Sequence, residues 1–228
     1  MKILFYQTLD STMTEAGRLL EREALPFAVV SRTQTAGKGK PGRKWHDSPG
    51  SSLLMTLVLP QTRPAGEYSF IAGLAVRNLL LRRCGLRCSL KWVNDVYCGS
   101  RKLCGILCEQ LLRKGSPCIS IGVGINVLTR EFPPELKATS VLLENGRVCA
   151  PRELAAPLAE ELTALTDAPF DRIAGDWLQA MYMRGEYASL DCGGETVSGT
   201  LEGIDSRGRL LVRTPGGACR ALDSGTFL

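Results

Sequence analysis

The stretch SSLLMTLVLP, residues 51–60, constrains the fold most strongly, because nearly all of its central positions are apolar. A strand with one face in water alternates apolar with polar residues, so this strand is expected to be covered on both faces. Other apolar stretches predict further strands, and apolar residues at helical spacing predict helices. The predicted strands are residues 3–7, 27–32, 86–92, 101–112 and 117–127, and the predicted helices are residues 10–23, 68–85, 151–165 and 170–183.

The first predicted helix carries Thr12 and Glu15 at the spacing of a capping box. The second is expected to end at Gly85. From about Ser189 the pattern changes to short alternating strands separated by glycine-rich turns, with SRG at 206–208 as a hairpin signal. A module of about forty residues is marginal alone, so we expect it to dock on the larger part. The predicted domains are residues 1–187 and 188–228.

The composition is that of a globular protein, with 44% hydrophobic and 22% charged residues and a net charge of +5. The start of the chain lacks the pattern of a signal peptide, and no apolar run has membrane-spanning length. The nine cysteines are odd in number and form no C-x-x-C pair, and the chain has one histidine. We therefore expect free thiols, no His/Cys metal cluster, no membrane contact and a cytoplasmic location.

The loop TAGKGKPGRKW, residues 35–45, matches G-x-G-x-x-G but does not predict a dinucleotide-binding turn. A strand precedes the glycines, but Pro41, Pro49 and Gly50 prevent the helix that such a turn requires. The loop instead combines an aromatic residue with four cations: Lys38, Lys40, Arg43, Lys44 and Trp45. A cationic loop that ends in an aromatic residue suits a polyanion with a planar base.

Three other polar stretches require explanation. Residues 10–12 (DST) begin a helix, and helix capping explains them sufficiently. Residues 91–102 (KWVNDVYCGSRK) are predicted as a hairpin with Asn94 and Asp95 in the turn, and its two lysines point towards one end of a sheet. Gly122 and Gly124 (IGVGINV, 121–127) indicate either close approach of a ligand or of another backbone segment, or a bulged core strand. Together these features favour a ligand with a carboxylate or phosphate and a flat ring, and no P-loop motif occurs.

Taken in order, five motifs resemble those of the biotin protein ligase family (biotin–acetyl-CoA-carboxylase ligases). They are DST at 10–12, QTAGKGKPGRKW at 34–45, KWVND at 91–95, KLCGIL at 102–107 and GVGIN at 122–126. The final β module resembles the SH3-like C-terminal domain of that family. Since ten residues precede Ser11, the DNA-binding N-terminal domain of bifunctional ligase-repressors is not expected, and neither is a DNA partner.

The resemblance implies an α+β fold with a mixed central sheet flanked by helices, similar to class II aminoacyl-tRNA synthetase cores, and a small SH3-like barrel. It implies an ATP-dependent ligase with ATP, biotin and Mg²⁺. The biotin carboxylate attacks the α-phosphorus of MgATP, giving biotinyl-5′-AMP and pyrophosphate. A lysine of a biotin carboxyl carrier protein then takes the biotinyl group as an amide. A homodimer is left open.

By the same resemblance, Lys91 is expected to bridge the biotin carboxylate and the α-phosphate, with Lys102 and Arg43 on the phosphates. The biotin-binding positions are Ser11, Thr12, Gln34, Gly37, Lys38, Lys40, Lys91, Gly122 and Gly124. The ATP-binding positions are Arg43, Trp45, Asn94, Lys102 and Asn126, with Trp45 stacked on adenine. Asp95 is the candidate metal ligand, and also a candidate base for the acceptor lysine. Clustered cations suit this reaction, because its first step brings two anions together.

Three positions depart from the family pattern: Met13 where Asn is frequent, Val93 where Pro is frequent, and Lys40 where Arg is usual. Lysine keeps the charge at position 40 but loses the planar fork of arginine, which bears on retention of the intermediate. Two alternatives remain. A lipoate or octanoyl ligase or transferase shares the fold, and a non-enzymatic nucleic-acid-binding protein would use the basic loop. The low aromatic content of 6% and the modest charge argue against the second.

Overall fold

The computed structural model describes residues 1–40 and 44–228, which form a large mixed sheet, five helices and a small antiparallel sheet. The strands of the large sheet are β1 (Lys2–Leu9), β2 (Phe27–Gln34), β3 (Ser52–Pro60), β4 (Ser89–Lys91), β5 (Asp95–Cys98), β6 (Arg101–Arg113) and β7 (Ser116–Asn126). Their spatial order is β1-β2-β3-β7-β6-β5-β4, with β1 and β2 parallel and the other neighbours antiparallel. The predicted α+β class with a mixed central sheet is confirmed.

The helices are α1 (Thr12–Leu19), α2 (Glu67–Leu79), α3 (Val141–Asn145), α4 (Ala155–Thr166) and α5 (Phe170–Gln179). A 3₁₀ turn, Pro151–Leu154, precedes α4, and a π turn, Leu80–Cys84, extends α2. Gly85 ends that extension with φ 69°, a conformation that glycine adopts without steric cost, so the predicted helix end is confirmed. Within the described residues, no helix has the length and apolar character that a membrane crossing requires.

The core lies on both faces of β3, whose residues 52–59 are all buried. Successive side chains of the neighbouring strand β2 belong to two different parts of the core. Phe27 and Val29 pack with Ala16 and Leu20 on the α1 side, whereas Ala28 and Val30 join the larger cluster that contains α2, α4 and α5. Helices therefore cover both faces, as the apolar character of residues 51–60 predicted. All nine cysteines are free thiols, as expected.

The small sheet follows α5 and docks against it. Its strands are β8 (Tyr187–Asp191), β9 (Thr196–Ile204), β10 (Leu210–Arg213), β11 (Cys219–Leu222) and β12 (Thr226–Phe227), in the order β11-β10-β9-β8-β12. The predicted SRG turn joins β9 to β10 and meets the large domain. There Trp92 Nε1 donates to the carbonyl of Gly208 at 3.0 Å. A Cβ at Gly208 would lie 2.6 Å from Phe70 Cε2, so glycine permits this close approach.

Three local predictions were wrong, and one helix was not predicted. Residues 95–98 form strand β5, although they were predicted within a hairpin turn, because Val96 and Tyr97 suit a sheet better than the turn. Helix α3 was not predicted. The N-cap of α1 is Ser11, whose Oγ accepts from Met13 N at 3.2 Å, so the cap lies one residue before the predicted Thr12. The last predicted helix ends at Gln179, before Met183.

Candidate active site

A cavity of about 470 Å³ opens where the ends of several strands of the large sheet meet the small sheet. The predicted site residues that line it are Ser11, Thr12, Gln34, Lys38, Lys40, Trp45, Lys91, Asn94, Asp95, Lys102, Gly122, Gly124 and Asn126. Gly37 lies next to the cavity and does not line it. Arg43 lies outside the described residues. The fold thus brings the sequence motifs together in one place.

The charge of the cavity lining is mainly positive. Among the described residues it contains six lysines, namely Lys38, Lys40, Lys44, Lys91, Lys102 and Lys137, and two carboxylates, Asp95 and Glu135. Cations around a partly enclosed space attract anions more strongly than cations in open water, because the local dielectric is lower. The cavity is therefore suited to a ligand with several negative charges.

Ser11, Thr12 and Gln34 meet because β1 and β2 are parallel, which places the ends of both strands at the same edge of the sheet. Gln34 Oε1 accepts from Thr12 N at 2.7 Å and from Thr12 Oγ1 at 3.1 Å. Thr56 Oγ1 in turn donates to Thr12 Oγ1 at 2.9 Å. The Thr12 and Gln34 side chains are therefore held in fixed orientations at the cavity wall. The predicted capping role at this helix start belongs to Ser11.

The two ends of the glycine-rich loop are joined at the cavity rim. Trp45 N donates to the Gly37 carbonyl at 3.0 Å, and Lys38 and Lys44 form an antiparallel bridge. A Cβ at Gly37 would lie 3.0 Å from both Gln34 Nε2 and the Trp45 carbonyl oxygen, so a side chain there would press on the loop base. Gly37 consequently supports the loop from behind the cavity.

Glycines of β6 and β7 receive side chains from other elements. A Cβ at Gly124 would lie 2.6 Å from Trp45 Cε2, and one at Gly105 would lie 2.8 Å from Trp45 Cζ3. A Cβ at Gly122 would lie 2.7 Å from Met13 Sδ. The predicted close approach at both glycines of β7 is thus made by protein side chains. The bulged-strand alternative is not supported, because β7 pairs in continuous register with β3 and β6.

The Trp45 indole has two polar features. Its Nε1 is buried and has no hydrogen-bond partner in the described part of the chain. Lys102 Nζ lies 6.0 Å from the ring centroid, within the range of a cation–π contact. An indole face at a cationic cavity wall can stack against a planar ring.

Lys91 and Lys102 both reach the cavity from the β4–β5–β6 region. Lys91 pairs with Asp95 across β4 and β5, and Asp95 pairs with Gly105 of β6. Lys102 Nζ forms an ion pair with Asp95 Oδ1 at 2.7 Å, without the alignment of a hydrogen bond. Lys91 Nζ lies 3.4 Å from Tyr97 Oη. Two cations thus face one space from β4 and β6, the strands on either side of β5, and the sequence predicted that the two lysines point towards one end of the sheet.

Two amide side chains stabilise the backbone around the cavity. Asn94 Nδ2 donates to the Ile106 carbonyl at 2.7 Å, and Asn126 Nδ2 donates to the Thr139 carbonyl at 3.0 Å. The second bond fixes a segment that the sequence analysis did not associate with the site. Cavity-lining residues from it are Phe132, Glu135, Leu136, Lys137 and Ala138. Lys102 N donates to the Lys137 carbonyl at 2.8 Å, so this segment is bound to the start of β6.

Asp47 lies behind Gln34 and has an unusual environment. Burial raises the pKa of its carboxyl from 3.8 to about 6, against the lowering effect of the backbone N–H of Gln34. That N–H donates to Asp47 Oδ2 at 3.3 Å, while Oδ1 is buried with no hydrogen-bond partner in the described residues. The sequence analysis did not identify this residue, because a lone acid in a loop gives no local signal.

Comparison with known proteins identifies the family to which this fold and cavity belong. Residues 4–126 match the model of the Biotin/lipoate A/B protein ligase family, which is more than half of the chain. Residues 190–228 match that of the Biotin protein ligase C terminal domain. The chain belongs to the biotin protein ligase family. The second match favours a biotin protein ligase over the lipoate and octanoyl alternatives, and the nucleic-acid-binding alternative is not supported.

This chain is also similar to individual ligases of the family. The chain is 33% identical over 223 residues to the Biotin--[acetyl-CoA-carboxylase] ligase of Paracoccus denitrificans, a match that covers 91% of this chain and 92% of that protein. It is 32% identical over 148 residues to the Bifunctional ligase/repressor BirA of Bacillus subtilis (strain 168), covering 61% of this chain and 46% of that protein. The solved Biotin protein ligase from Aquifex aeolicus in complex with biotin and ATP has a TM-score of 0.86 at 29% identity, covering 100% of this chain and 97% of that chain.

Proposed function

We propose that this ligase activates biotin with ATP as biotinyl-5′-AMP and transfers the biotinyl group to a lysine of a biotin carboxyl carrier protein. The observation that supports the proposal best is the cavity between the two sheets, which gathers the five family motifs around a space lined mainly by cations. Its size of about 470 Å³ is that of a pocket for a small-molecule ligand. The carrier protein is proposed from the name of the Paracoccus relative.

In the first step, a biotin carboxylate oxygen bonds to the α-phosphorus of ATP, and the bond from that phosphorus to the bridging oxygen of pyrophosphate breaks. The carboxylate is ionised at pH 7, so this step needs no general base. The barrier that the protein can lower is the repulsion between two anions. Lys91 is the residue that we assign between carboxylate and α-phosphate, and Lys102 the one that we assign to the phosphates. Arg43 is assigned to the phosphates by family resemblance alone.

The remaining roles follow the layout of the cavity. Ser11, Thr12 and Gln34 are assigned to the biotin ureido head, because they offer oriented hydroxyl and amide groups at one end. Trp45 is assigned to adenine, since it lines the cavity and its ring lies beside Lys102. The other proposed contacts are Gly37, Lys38, Lys40, Gly122 and Gly124 on the biotin side, and Asn94 and Asn126 on the nucleotide side.

Mg²⁺ is proposed to enter with ATP. Within the described residues no three His, Cys, Asp or Glu side chains are arranged to hold a metal ion. This fits Mg²⁺, which is commonly held by one or two carboxylates together with substrate phosphates. Asp95 is the carboxylate that we assign to it, because it lines the cavity beside Lys102, with which its Oδ1 forms an ion pair at 2.7 Å. The ion would neutralise phosphate charge.

In the second step, the amine of the carrier lysine bonds to the acyl carbon of the mixed anhydride, AMP leaves, and the amine loses a proton. Asp95 is also a candidate to receive that proton. We further propose that the chain divides into residues 1–187 and 188–228, a division supported by the start of β8 at Tyr187. A cytoplasmic location is proposed from the free cysteines. A homodimer remains a proposal from family resemblance.

The experiment is pyrophosphate release by the purified chain with ATP and biotin, each omitted in turn, with lipoate and octanoate as alternative acids. Transfer is followed by the mass of a biotin carboxyl carrier domain, using a carrier whose acceptor lysine is changed to arginine as the control. We expect release only with biotin and a gain of one biotinyl group only on the unaltered carrier. Release that is equal with lipoate, or absent with biotin, would contradict the proposal.

A further inference from the structure

The ammonium of Lys91 lies among three aromatic rings. Its Nζ is 4.5 Å from the ring centroid of Phe227, 4.9 Å from that of Tyr97 and 5.8 Å from that of Tyr182. All three distances are within about 6 Å, the range in which the negative face of a ring attracts a cation. The side chain that we assign to the biotin carboxylate is thus surrounded on several sides by π faces.

The three rings come from different parts of the fold. Tyr97 lies on β5, in the same hairpin as Lys91, and packs against Tyr182 with centroids 5.1 Å apart. Tyr182 follows α5, and its backbone N–H donates to the Leu90 carbonyl at 2.9 Å. These two rings therefore belong to the large domain and are fixed next to β4.

Phe227 belongs to the small sheet. It is held in β12 by pairing with Leu190 of β8, and the following residue, Leu228, donates to the Ser189 carbonyl at 3.0 Å. Phe227 also lines the cavity, together with Gly225 and Thr226. The backbone of β12 thus holds the Phe227 ring next to Lys91, although β12 is far from the biotin motifs in sequence.

A second contact between the two domains lies one residue further along the chain. Trp92 Nε1 donates to Gly208 of the small sheet, so Lys91 and Trp92 both touch that sheet. The position of β4 and the position of the Phe227 ring are therefore linked. A shift of the small sheet would move the ring and the lysine backbone together.

We propose that Phe227 is a positioning residue for adenylation: its ring seats the Lys91 ammonium so that its N–H groups face the cavity. This inference rests on the proposed function. An aromatic face attracts a cation without carrying a net charge, so the ammonium stays oriented and its positive charge remains effective for an incoming anion. The carboxylate–lysine pair of Asp95 and Lys102 differs, because there a full negative charge offsets the cation.

The test varies the ring and measures the kinetics of adenylation. Phe227→Leu keeps an apolar side chain but removes the π face, and Phe227→Trp restores a ring. The matched control is Tyr187→Leu, which removes an aromatic ring from β8 of the same sheet at a position that is 59% exposed. We expect Phe227→Leu to lower kcat/KM for biotin in pyrophosphate release by about twofold to thirtyfold. Phe227→Trp should recover most of the loss, and the control should match the wild type.

A graded substitution separates electrostatics from packing. Fluorination of the Phe227 ring at one, two and three positions reduces its negative face while nearly preserving its shape. We expect kcat/KM for biotin to fall stepwise along this series at an unchanged melting temperature. A flat series, or equal losses in Phe227→Leu and Tyr187→Leu, would overturn the inference. The series remains informative if Phe227→Leu fails to fold.

A ligand-free readout distinguishes this inference from the proposed function. Protons above an aromatic face are shifted upfield in NMR spectra, so the ε-methylene protons of Lys91 should be shifted in the wild type and less so in Phe227→Leu. A wild type that shows this shift but no biotin-dependent pyrophosphate release contradicts the proposed function and leaves the ring contact standing. An active wild type without the shift contradicts the inference alone.

Discussion

Gly105 and Gly124 face each other across β6 and β7, and the Trp45 indole lies over both of them. A side chain at either position would occupy the space of the ring, since the built Cβ atoms fall 2.8 Å and 2.6 Å from Trp45 carbons. Real Cβ contacts are not that short, so an alanine at either position must displace the indole. The two glycines thereby determine the position of Trp45, the aromatic residue at the end of the cationic loop.

Gly124→Ala is expected to displace Trp45 and to raise the KM for ATP by about tenfold, the range that loss of one base–aromatic stack corresponds to. The KM for biotin is measured alongside, because Gly124 is also a proposed biotin contact. The measurement is pyrophosphate release at varied ATP, together with tryptophan fluorescence. Gly175→Ala in α5 is the matched control, because no atom lies within 4 Å of its built Cβ. Equal KM values for ATP in both variants would contradict the assignment of Trp45.

Lys91→Ala is expected to lower biotin-dependent pyrophosphate release by at least about a hundredfold, because it removes a cation from the point where two anions meet. The melting temperature is measured alongside, because the variant also loses the cation–π contacts of Lys91 with Phe227, Tyr97 and Tyr182. Arg172→Ala serves as the control, since it removes a cation from an exposed position of α5. Near-normal release by Lys91→Ala would show that another residue bridges the anions.

Several features of the fold and the site could be predicted from local sequence. The buried strand at residues 51–60, the helix end at Gly85 and the two lysines of the hairpin all depend on neighbours along the chain. Strand β5 was missed because Asn94 and Asp95 favour a turn, whereas pairing with β6 decides the structure. The ring of Phe227 was missed because its partner, Lys91, is remote in sequence, and no local pattern encodes such a contact.

The role of the glycines of β7 was predicted only in part. They were predicted to allow close approach of a ligand or a backbone segment, whereas the groups that approach them in the structure are the side chains of Met13 and Trp45. Asp47 and the segment with Phe132 and Lys137 gave no signal at all. Their roles arise from burial and from hydrogen bonds between side chains and backbone groups that are distant in sequence, and these depend on the assembled fold.

Asp47→Asn is expected to stabilise the protein near neutral pH. Burial raises the pKa of this carboxyl from 3.8 to about 6, so the folded state binds more protons than the unfolded state between these values. The protonated carboxyl therefore makes its full contribution to stability below about pH 4, and this contribution is lost as the pH rises through about 6. After allowance for solvent screening, the free energy of unfolding of Asp47→Asn at pH 7.5 should exceed that of the wild type by roughly 1–2 kcal/mol.

The measurement for Asp47 is urea unfolding of wild type and Asp47→Asn between pH 3.5 and 8. The two free energies of unfolding should converge at the acid end. Asp167→Asn supplies a control at a carboxyl outside the cavity, and it should show no convergence of this kind. A constant difference between wild type and Asp47→Asn at every pH would mean that the carboxyl is not desolvated.

Lys40→Arg is expected to slow release of biotinyl-5′-AMP, and Lys40→Gly to hasten it. Lys40 lines the cavity, and an arginine there can make two parallel hydrogen bonds where an ammonium acts as a point charge. One additional charge-assisted bond corresponds to about a tenfold change in off-rate. The check is the dissociation rate of the preformed adenylate in a chase experiment. Identical rates for the Lys, Arg and Gly forms would place the side chain away from the intermediate.

The contact between Phe227 and Lys91 also has a consequence for biosynthesis. During translation the large sheet is complete long before β12 leaves the ribosome, and domains generally fold in the order in which they are made. A nascent chain can therefore present the biotin-side motifs while the lysine still lacks one of its three rings. If the ring seats that lysine, the acyl-adenylate forms efficiently only after β12 has been made and has paired with β8.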